Sequence, residues 1–519
     1  MPHLRTVRST SRVDVGRRVL LYPVSSGGPA IVSDQMRSLR AIPSGEDHDD
    51  EFIQGMRNIG IEFLDIRFVD LPGRWHHVTI PTEAVAASLF RLGVGFDGSS
   101  AGFKSVESGD MVLIPDRSTV AVEDVDGRAV ASLLGTAAEA DTRRPFSLDP
   151  RVIARRSEEA LRAAGHADES IWSPELEFYV FSGVSYDNGR SGAFYEVESI
   201  DAGWVDPESP EAARGYRIQP GAGYDAAPPS DVHFALRNEI AHRMQSLGIP
   251  VKYHHHENGA PGQMEIELLG EPLMDSADHL MHGKHVVRTT ADDWGTTATF
   301  MPHPVATEAG NGLHFHIKLR RGGEPVFHGE ESYAGLSETA LYFIGGILTH
   351  GRALSAITNP STNSYRRLRP GYEAPTNLFF SAANRSAAIR IPRYATEPDT
   401  KTIEYRPPDA SGNPYLTMAA LLAAGLDGIE RSIDPRENGF GPFDTNIHGL
   451  PREERDRIVP LPATLEEALD ELRADSDFLT ANDVFPRDFV RVWTTLKMNE
   501  IEHVRTQPHP KEYDLYYDC

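Results

Sequence analysis

The chain has 519 residues, 40% of them hydrophobic and 24% charged, with a formal net charge of −25. This length allows two or more domains around a large core, and the acidity excludes the basic footprint of a nucleic-acid binder. The only cysteine is Cys519, so intrachain disulfides and thiolate zinc sites are excluded and a reducing, cytoplasmic setting is expected.

Residues 1–50 stand apart. MPHLRTVRSTSRVDVGRR carries five arginines and one acid, a composition shared with transit peptides, but a flexible extension of a cytoplasmic protein fits better. The acidic SGEDHDDE (44–51) reads as a solvated linker. IGIEFLDIRFVDL (59–71) alternates like a strand. TEAVAASLFRLG (82–93) predicts an amphipathic helix closed by glycine. DMVLIPD and STVAVEDV predict two strands, completing a small α+β unit over residues 51–144. DPRVIARRSEEALRAAGH (149–166) opens a larger region, 145–519, with a capped helix. MAALLAAGL (418–426) is too short to cross a bilayer and reads as a core helix. GVGFDG (93–98) has dinucleotide-binding glycine spacing but lacks the strand-then-helix setting, and no G-x-x-x-x-G-K-S/T loop exists to cradle phosphates.

One pattern recurs in four segments. Residues two apart in a strand share a face. In ELEFYVF (175–181) that rule pairs Glu175 with Glu177, against Leu176, Phe178 and Val180. In QMEIEL (263–268) it groups Gln263, Glu265 and Glu267. In LHFHIKL (313–319) it groups His314, His316 and Lys318, and in IEYRP (403–407) Glu404 and Arg406. One such strand is an ordinary wet face. Four predict a sheet whose polar face lines a cavity. Two carboxylates about 4 Å apart repel by roughly 4 kcal/mol at an effective dielectric near 20, so cations must balance them. Oxygen donors with an occasional imidazole suit Mg²⁺ or Mn²⁺, and Mg²⁺ takes phosphates as further ligands. Arg366, Arg367 and Arg369, then Arg385 and Arg390, supply planar forks for phosphate or carboxylate. Phosphoryl transfer by metals and arginines, without a P-loop, is the chemistry expected.

The segments FDGSSAGF, ELEFYVF, HHHENGAPGQMEIEL, ATFMPHP, LHFHIKL, NPSTNSYRRLRPGYEAP, NRSAAIRIP, EYRPPDASGNPYL and VRTQPHPKEYDLYYD follow the order and rough spacing of class I bacterial glutamine synthetase, which the chain resembles from about residue 52 to its end. The resemblance implies an α+β fold, with a small N-terminal β-grasp domain and a large catalytic domain built on a curved antiparallel sheet. It implies a dodecamer of two stacked hexameric rings, with sites shared between neighbours and a C-terminal tail that inserts into the opposite ring. No nucleic-acid or membrane partner is expected. The implied reaction joins L-glutamate and ammonium at the expense of ATP, through a γ-glutamyl phosphate, with two or more Mg²⁺ or Mn²⁺ ions per site.

By the same resemblance Glu177, Glu257 and Glu265 hold one metal, and Glu175, His314 and Glu404 the second. His255, His316, Arg385 and Arg390 contact ATP. Glu177, Gly310, Arg367 and Arg406 face glutamate. Asp97, Ser100, Tyr224, Glu257 and Glu373 hold ammonium. Asp97, Glu373, Arg385 and Arg406 act in catalysis, with Glu373 on a mobile loop, and His254 is structural.

Several positions depart from the family pattern. Ala309 stands where a glutamate-contacting asparagine is usual, and Asn311 where serine is usual. Asp399 and Thr402 replace basic residues, and Lys318 replaces a serine near the nucleotide. His448 stands at the adenylylated tyrosine, so no adenylylation is expected there. These departures keep two alternatives open: a ligase joining glutamate to polyamines, ethanolamine or other amines, and a non-catalytic scaffold.

Overall fold

The computed structural model describes residues 36–204, 215–330, 332–370, 374–445 and 447–519, the side chains of His448 and Glu454 excepted. Residues 1–35 of the expected extension lie outside them. Residues 36–50 do not behave as a flexible linker. Met36 and Leu39 are buried in the main core. The Arg117 guanidinium donates to the carbonyls of Pro43, Gly45 and His48 and pairs with Asp49 at 3.3 Å. Buried apolar side chains and one arginine outweigh the acidic composition of the stretch.

The first domain is a five-stranded sheet among the described residues. Its strands are β1 (Phe63–Val69), β2 (Trp75–Pro81), β3 (Val94–Asp97), β4 (Asp110–Val125) and β5 (Arg128–Glu139), in the order β2-β1-β5-β4-β3. β1 and β5 run parallel, and the other pairs are antiparallel. The two strands expected at DMVLIPD and STVAVEDV are one strand, β4, with a register shift between Asp116 and Ala121. Asp116 makes that irregularity, accepting from the Ser118 N–H and hydroxyl while its carbonyl accepts from Thr119. The helix expected over 82–93 is broken. Thr82–Ala84 is a 3-10 turn, Val85 is extended and buried, and Leu89–Leu92 is one helical turn closed by Gly93 at φ 74°. Burial of Val85 against the sheet overrides the helical pattern.

Asp149 caps the helix Pro150–Ala164, accepting from the N–H groups of Arg151 and Val152, and Gly165 ends it in the left-handed region. The large domain then builds β6 (Glu169–Phe181), the exposed hairpin β7 (Gly183–Gly189) and β8 (Gly192–Glu198), β9 (Val251–His256), β10 (Gln263–Leu268), the short β11 (Glu271–Pro272) and β12 (Thr297–Thr299), β13 (Leu313–Arg321), the short β14 (Glu324–Pro325), β15 (Asn377–Ala382), β16 (Ala387–Ile391) and β17 (Ile403–Tyr405). The main path of the large sheet is β15-β16-β17-β13-β6-β10-β9. It is antiparallel except for β15 and β16, which pair parallel.

The four strands of the recurring pattern are therefore consecutive: β17, β13, β6 and β10. Register aligns their polar positions, with Glu265 opposite Glu177, Glu267 opposite Glu175, His314 opposite Glu175 and His316 opposite Glu404. Their apolar positions, among them Leu176, Phe178, Met264, Ile266, Phe315 and Ile317, are buried in the core. Behind the sheet the helix Pro414–Glu430 is buried along most of its length. It crosses the helix Glu338–Thr349 so closely that a Cβ on Gly346 would lie 2.0 Å from the Ala424 carbonyl oxygen, and one on Gly428 2.2 Å from that of Tyr342.

Candidate active site

The polar face of these strands opens into a cavity of about 880 Å³. It is lined by Glu175, Glu177, Tyr224, His255, Glu257, Glu265, Gly310, His314, Arg367, Arg385, Arg390, Glu404 and Arg406, together with Lys252, Gln263, Ala309 and Tyr394. Most of the expected residues thus meet in one place. Asp97 and Ser100 do not line the cavity. They lie exposed at the end of β3, where the hydroxyls of Ser99 and Ser100 donate to the Asp97 carboxylate at 2.7 and 2.6 Å. Those bonds lower the Asp97 pKa to about 2. Glu373 falls outside the described residues, and so does the His448 side chain.

Two groups of donor atoms stand out, each with its ligand atoms within 4.8 Å of one another. The first is Glu177, Glu257 and Glu265. Burial, then the neighbouring carboxylates, pushes Glu257 up to about 9 and holds Glu265 well above the ordinary glutamate range. Glu257 Oε2 is buried with no hydrogen-bond partner. Three carboxylates crowded in this way fit a divalent cation, because an oxygen-rich, anionic donor set is what Mg²⁺ and Mn²⁺ take.

The second group is Glu175, His316 and Glu404. Here His316, rather than His314, completes the group. His316, expected at the nucleotide, lies 2.8 Å from Glu175 Oε1. His314 lies between the groups, with Nδ1 2.7 Å from Glu175 Oε2 and Nε2 3.6 Å from Glu177 Oε1. Both imidazoles come from one face of β13, so either can serve the Glu175 end. Burial raises the pKa of Glu175, but the two histidines outweigh it and hold the carboxylate well below its ordinary range.

The arginines are placed in two ways. Arg390 and Arg406 both donate to Glu404, one to each oxygen. Burial opposes ionisation of Glu404, but these cations keep it below the ordinary range. Arg367 is buried and donates to the carbonyls of Pro407 at 2.7 Å and Pro408 at 3.2 Å, so its position is fixed by the backbone after β17. The Arg385 guanidinium lies over the Tyr224 ring, 5.5 Å from its centroid.

The departures find local explanations. Asn311 is fully buried, accepting from Gln263 and donating to the Met301 carbonyl. Ala309 lines the cavity and offers its carbonyl to the Tyr179 hydroxyl at 2.6 Å. Lys318 donates to the Asp399 carbonyl and Arg320 approaches the Asp399 carboxylate at 3.3 Å, so two of the departing positions meet in one contact. Thr402 lies 3.4 Å from His316 Nδ1. His254, which also borders the cavity, accepts from Arg237 Nε at 3.0 Å.

Sequence reasoning put Gln263 on the acidic face but gave it no role. Its amide donates to the Gly310 carbonyl at 3.0 Å and to Glu177 Oε2 at 3.4 Å, and its oxygen accepts from the Gly259 N–H. It fixes the loop before β13 against the acidic face. The signal was present, since alternation places Gln263 on the face of Glu265.

A family model described as Glutamine synthetase, catalytic domain matches residues 147–516, and one described as Glutamine synthetase, beta-Grasp domain matches residues 60–139. The glutamine synthetase of Frankia alni is 43% identical over 472 residues, covering 90% of this chain and 99% of that protein. That of Mycolicibacterium smegmatis is 41% identical over 480 residues, covering 91% and 99%. The cryo-EM structure of Plasmodium falciparum glutamine synthetase is similar with a TM-score of 0.82 at 27% identity, covering 92% of this chain and 99% of that one. With its two domains, its acidic sheet face and these relatives, the chain belongs to the glutamine synthetase family.

Proposed function

We propose that this chain is an ATP-dependent ligase that forms L-glutamine from L-glutamate and ammonia through a γ-glutamyl phosphate. The reading rests above all on one juxtaposition: two acidic donor groups and four arginines facing the same cavity. Glu177, Glu257 and Glu265 hold one divalent ion, Mg²⁺ or Mn²⁺, and Glu175 and Glu404 hold a second with an imidazole of His314 or His316. Such ions, when bound, neutralise phosphate charge during transfer. Arg385 and Arg390 bind the nucleotide phosphates, with His255 and His316 near the nucleotide. Arg367, Arg406 and the Gly310 backbone hold glutamate with its γ-carboxylate toward the terminal phosphate. The γ-carboxylate oxygen takes the phosphoryl group and ADP leaves. Ammonium gives one proton to a carboxylate of its pocket, the resulting ammonia attacks the γ-carbon, and phosphate leaves with the acyl oxygen and the second proton released as the amide forms.

Ammonium is gathered by Tyr224, Glu257 and Glu373 together with Asp97 and Ser100 of an adjacent copy. Asp97, held ionised by its serine hydroxyls, attracts the cation more than it accepts a proton. A shared site requires an oligomer, and a dodecamer of two hexameric rings supplies it. The cytoplasm suits a chain whose one cysteine is Cys519. Among the described residues no helix is long and apolar enough to cross a membrane.

Phosphate release from ATP with glutamate, measured with ammonium, methylamine, ethanolamine or putrescine, tests this reading. Release with ammonium, matched by glutamine formed, is expected. Release with a larger amine alone, or with none, overturns it.

A further inference from the structure

The four arginines of the cavity are not held alike. Arg367, Arg390 and Arg406 are fixed by hydrogen bonds from their guanidinium groups. Arg385 is exposed, and its guanidinium meets the Tyr224 ring. It sits on the link 383–386 between β15 and β16, and Ala383 at the start of that link has φ 69°, in the left-handed region. A residue with a Cβ is held there only when its surroundings impose it. The aim of Arg385 therefore depends on what grips this link.

Two side chains grip it. Asn384 Nδ2 donates to the carbonyls of Phe443 at 3.3 Å and Thr445 at 3.2 Å. Its Oδ1 accepts from the Ser386 N–H at 3.0 Å and the Ser386 hydroxyl at 2.8 Å. The residues on either side of Arg385 are thus joined to each other and to the segment 443–445. Asp444, in the middle of that segment, accepts through Oδ1 from the Tyr333 hydroxyl at 2.5 Å, the Ser381 hydroxyl at 2.7 Å and the Ala382 N–H at 3.0 Å. It therefore anchors the chain directly before Ala383. On the inner side the Arg385 carbonyl accepts from Arg406 Nε at 3.1 Å. Asn384 and Asp444 line a separate cavity of about 590 Å³, not the one that holds the acidic groups, and Ser386 borders both. The grip is applied from behind the cavity, away from the reacting groups.

We propose that Asn384 and Asp444 are positioning residues for Arg385: they clamp the link 383–386 to the segment 443–445 and so aim the guanidinium at the nucleotide phosphates. This rests on the reading that gives Arg385 those phosphates. A cation whose backbone is already locked loses less freedom when its ligand arrives and meets the ligand in the right geometry. The segment 443–445 leads into the turn Ile447–Gly449, whose Ile447 lines the active cavity, so the clamp joins two walls of one site.

Calorimetry with ADP and Mg²⁺ on the full-length protein tests this through a double-mutant cycle. Asn384→Ala is expected to weaken ADP binding about fivefold or more in the otherwise native protein, and less than about twofold beside Arg385→Ala, because residues that act through one group are not additive. Asp444→Ala should follow the same pattern. Equal losses in both backgrounds, in protein shown by circular dichroism to be folded, overturn the proposal, since a merely structural role weakens binding whether or not Arg385 is present. An Asn384→Ala protein that binds ADP as the wild type does also overturns it. Should Asn384→Ala not fold, Asn384→Asp decides, because it keeps the acceptor for Ser386 and loses the donor to the two carbonyls. Wild-type ADP affinity in Arg385→Ala overturns the premise and the proposal with it. Neither amine nor turnover enters the measurement, so its failure is distinct from failure of the ligase reading in the phosphate-release assay.

Discussion

Glu265 lies buried and Glu257 half-buried beside Glu177, whereas Glu404 lies buried between Arg390 and Arg406. The first situation makes metal-free folding sensitive to pH. A carboxyl whose folded pKa exceeds its unfolded value binds its proton more tightly when folded. The resulting stability is full below the unfolded value and is lost as pH rises through the folded one, about 9 for Glu257. Protein in EDTA should therefore melt at progressively lower temperature from about pH 5 to pH 9, and Mn²⁺ should flatten that trend. A rising trend in EDTA, or the same fall with Mn²⁺, would contradict the assignment of this group. Arg385 is the clearest single cation for testing charge stabilisation. Arg385→Ala is expected to lower kcat by about 10²-fold or more, as removal of one donor aimed at developing charge does elsewhere. Steady-state kinetics showing only a raised KM would argue against that role. At this scale the sequence was most informative where chemistry repeats at a two-residue spacing, as in Glu175 and Glu177. It was silent on Asp201, which comes within 4 Å of both His233 and His256 only through the tertiary fold.

Elements were legible where one force dominates. The helix Pro150–Ala164 carries its own start and stop, Asp149 and Gly165, and the strands of the acidic sheet announce themselves by alternation. The stretch 82–93 misled because Val85 gains more from the core of the first sheet than from continuing a helix. The close crossing of Pro414–Glu430 over Glu338–Thr349 was equally hidden, since no local pattern states which glycines face each other. That crossing admits no side chain at Gly346. Gly346→Ala must push the helices apart, with a cost of about 1–3 kcal/mol or more. Urea denaturation checks this, and a change under about 0.5 kcal/mol would show that the pair yields easily.

Across the whole molecule, one apolar core joins both domains, while two of the expected ammonium-binding residues, Asp97 and Ser100, stay outside the cavity. An isolated copy therefore lacks part of the proposed site. The C-terminal helix Pro510–Tyr516 and the residue after it leave Tyr513 60%, Leu515 58%, Tyr516 60% and Tyr517 82% exposed, an apolar surface suited to another copy of the chain. Deleting residues 508–519 should lower the assembly mass in light scattering and reduce activity on dilution. An unchanged mass would remove the tail from the assembly.

Two guanidinium groups resting on the Glu404 carboxylate keep that corner near neutrality before any ligand arrives. Anions approaching then meet cations already occupied. Were Glu404 to turn to a divalent ion, Arg390 and Arg406 would be freed for phosphate and carboxylate, and the proposed reaction would then load the cation before the nucleotide. Calorimetry in EDTA should accordingly find ADP bound more tightly by Glu404→Gln than by the wild type, and the reverse ranking would show that the arginines are never held back.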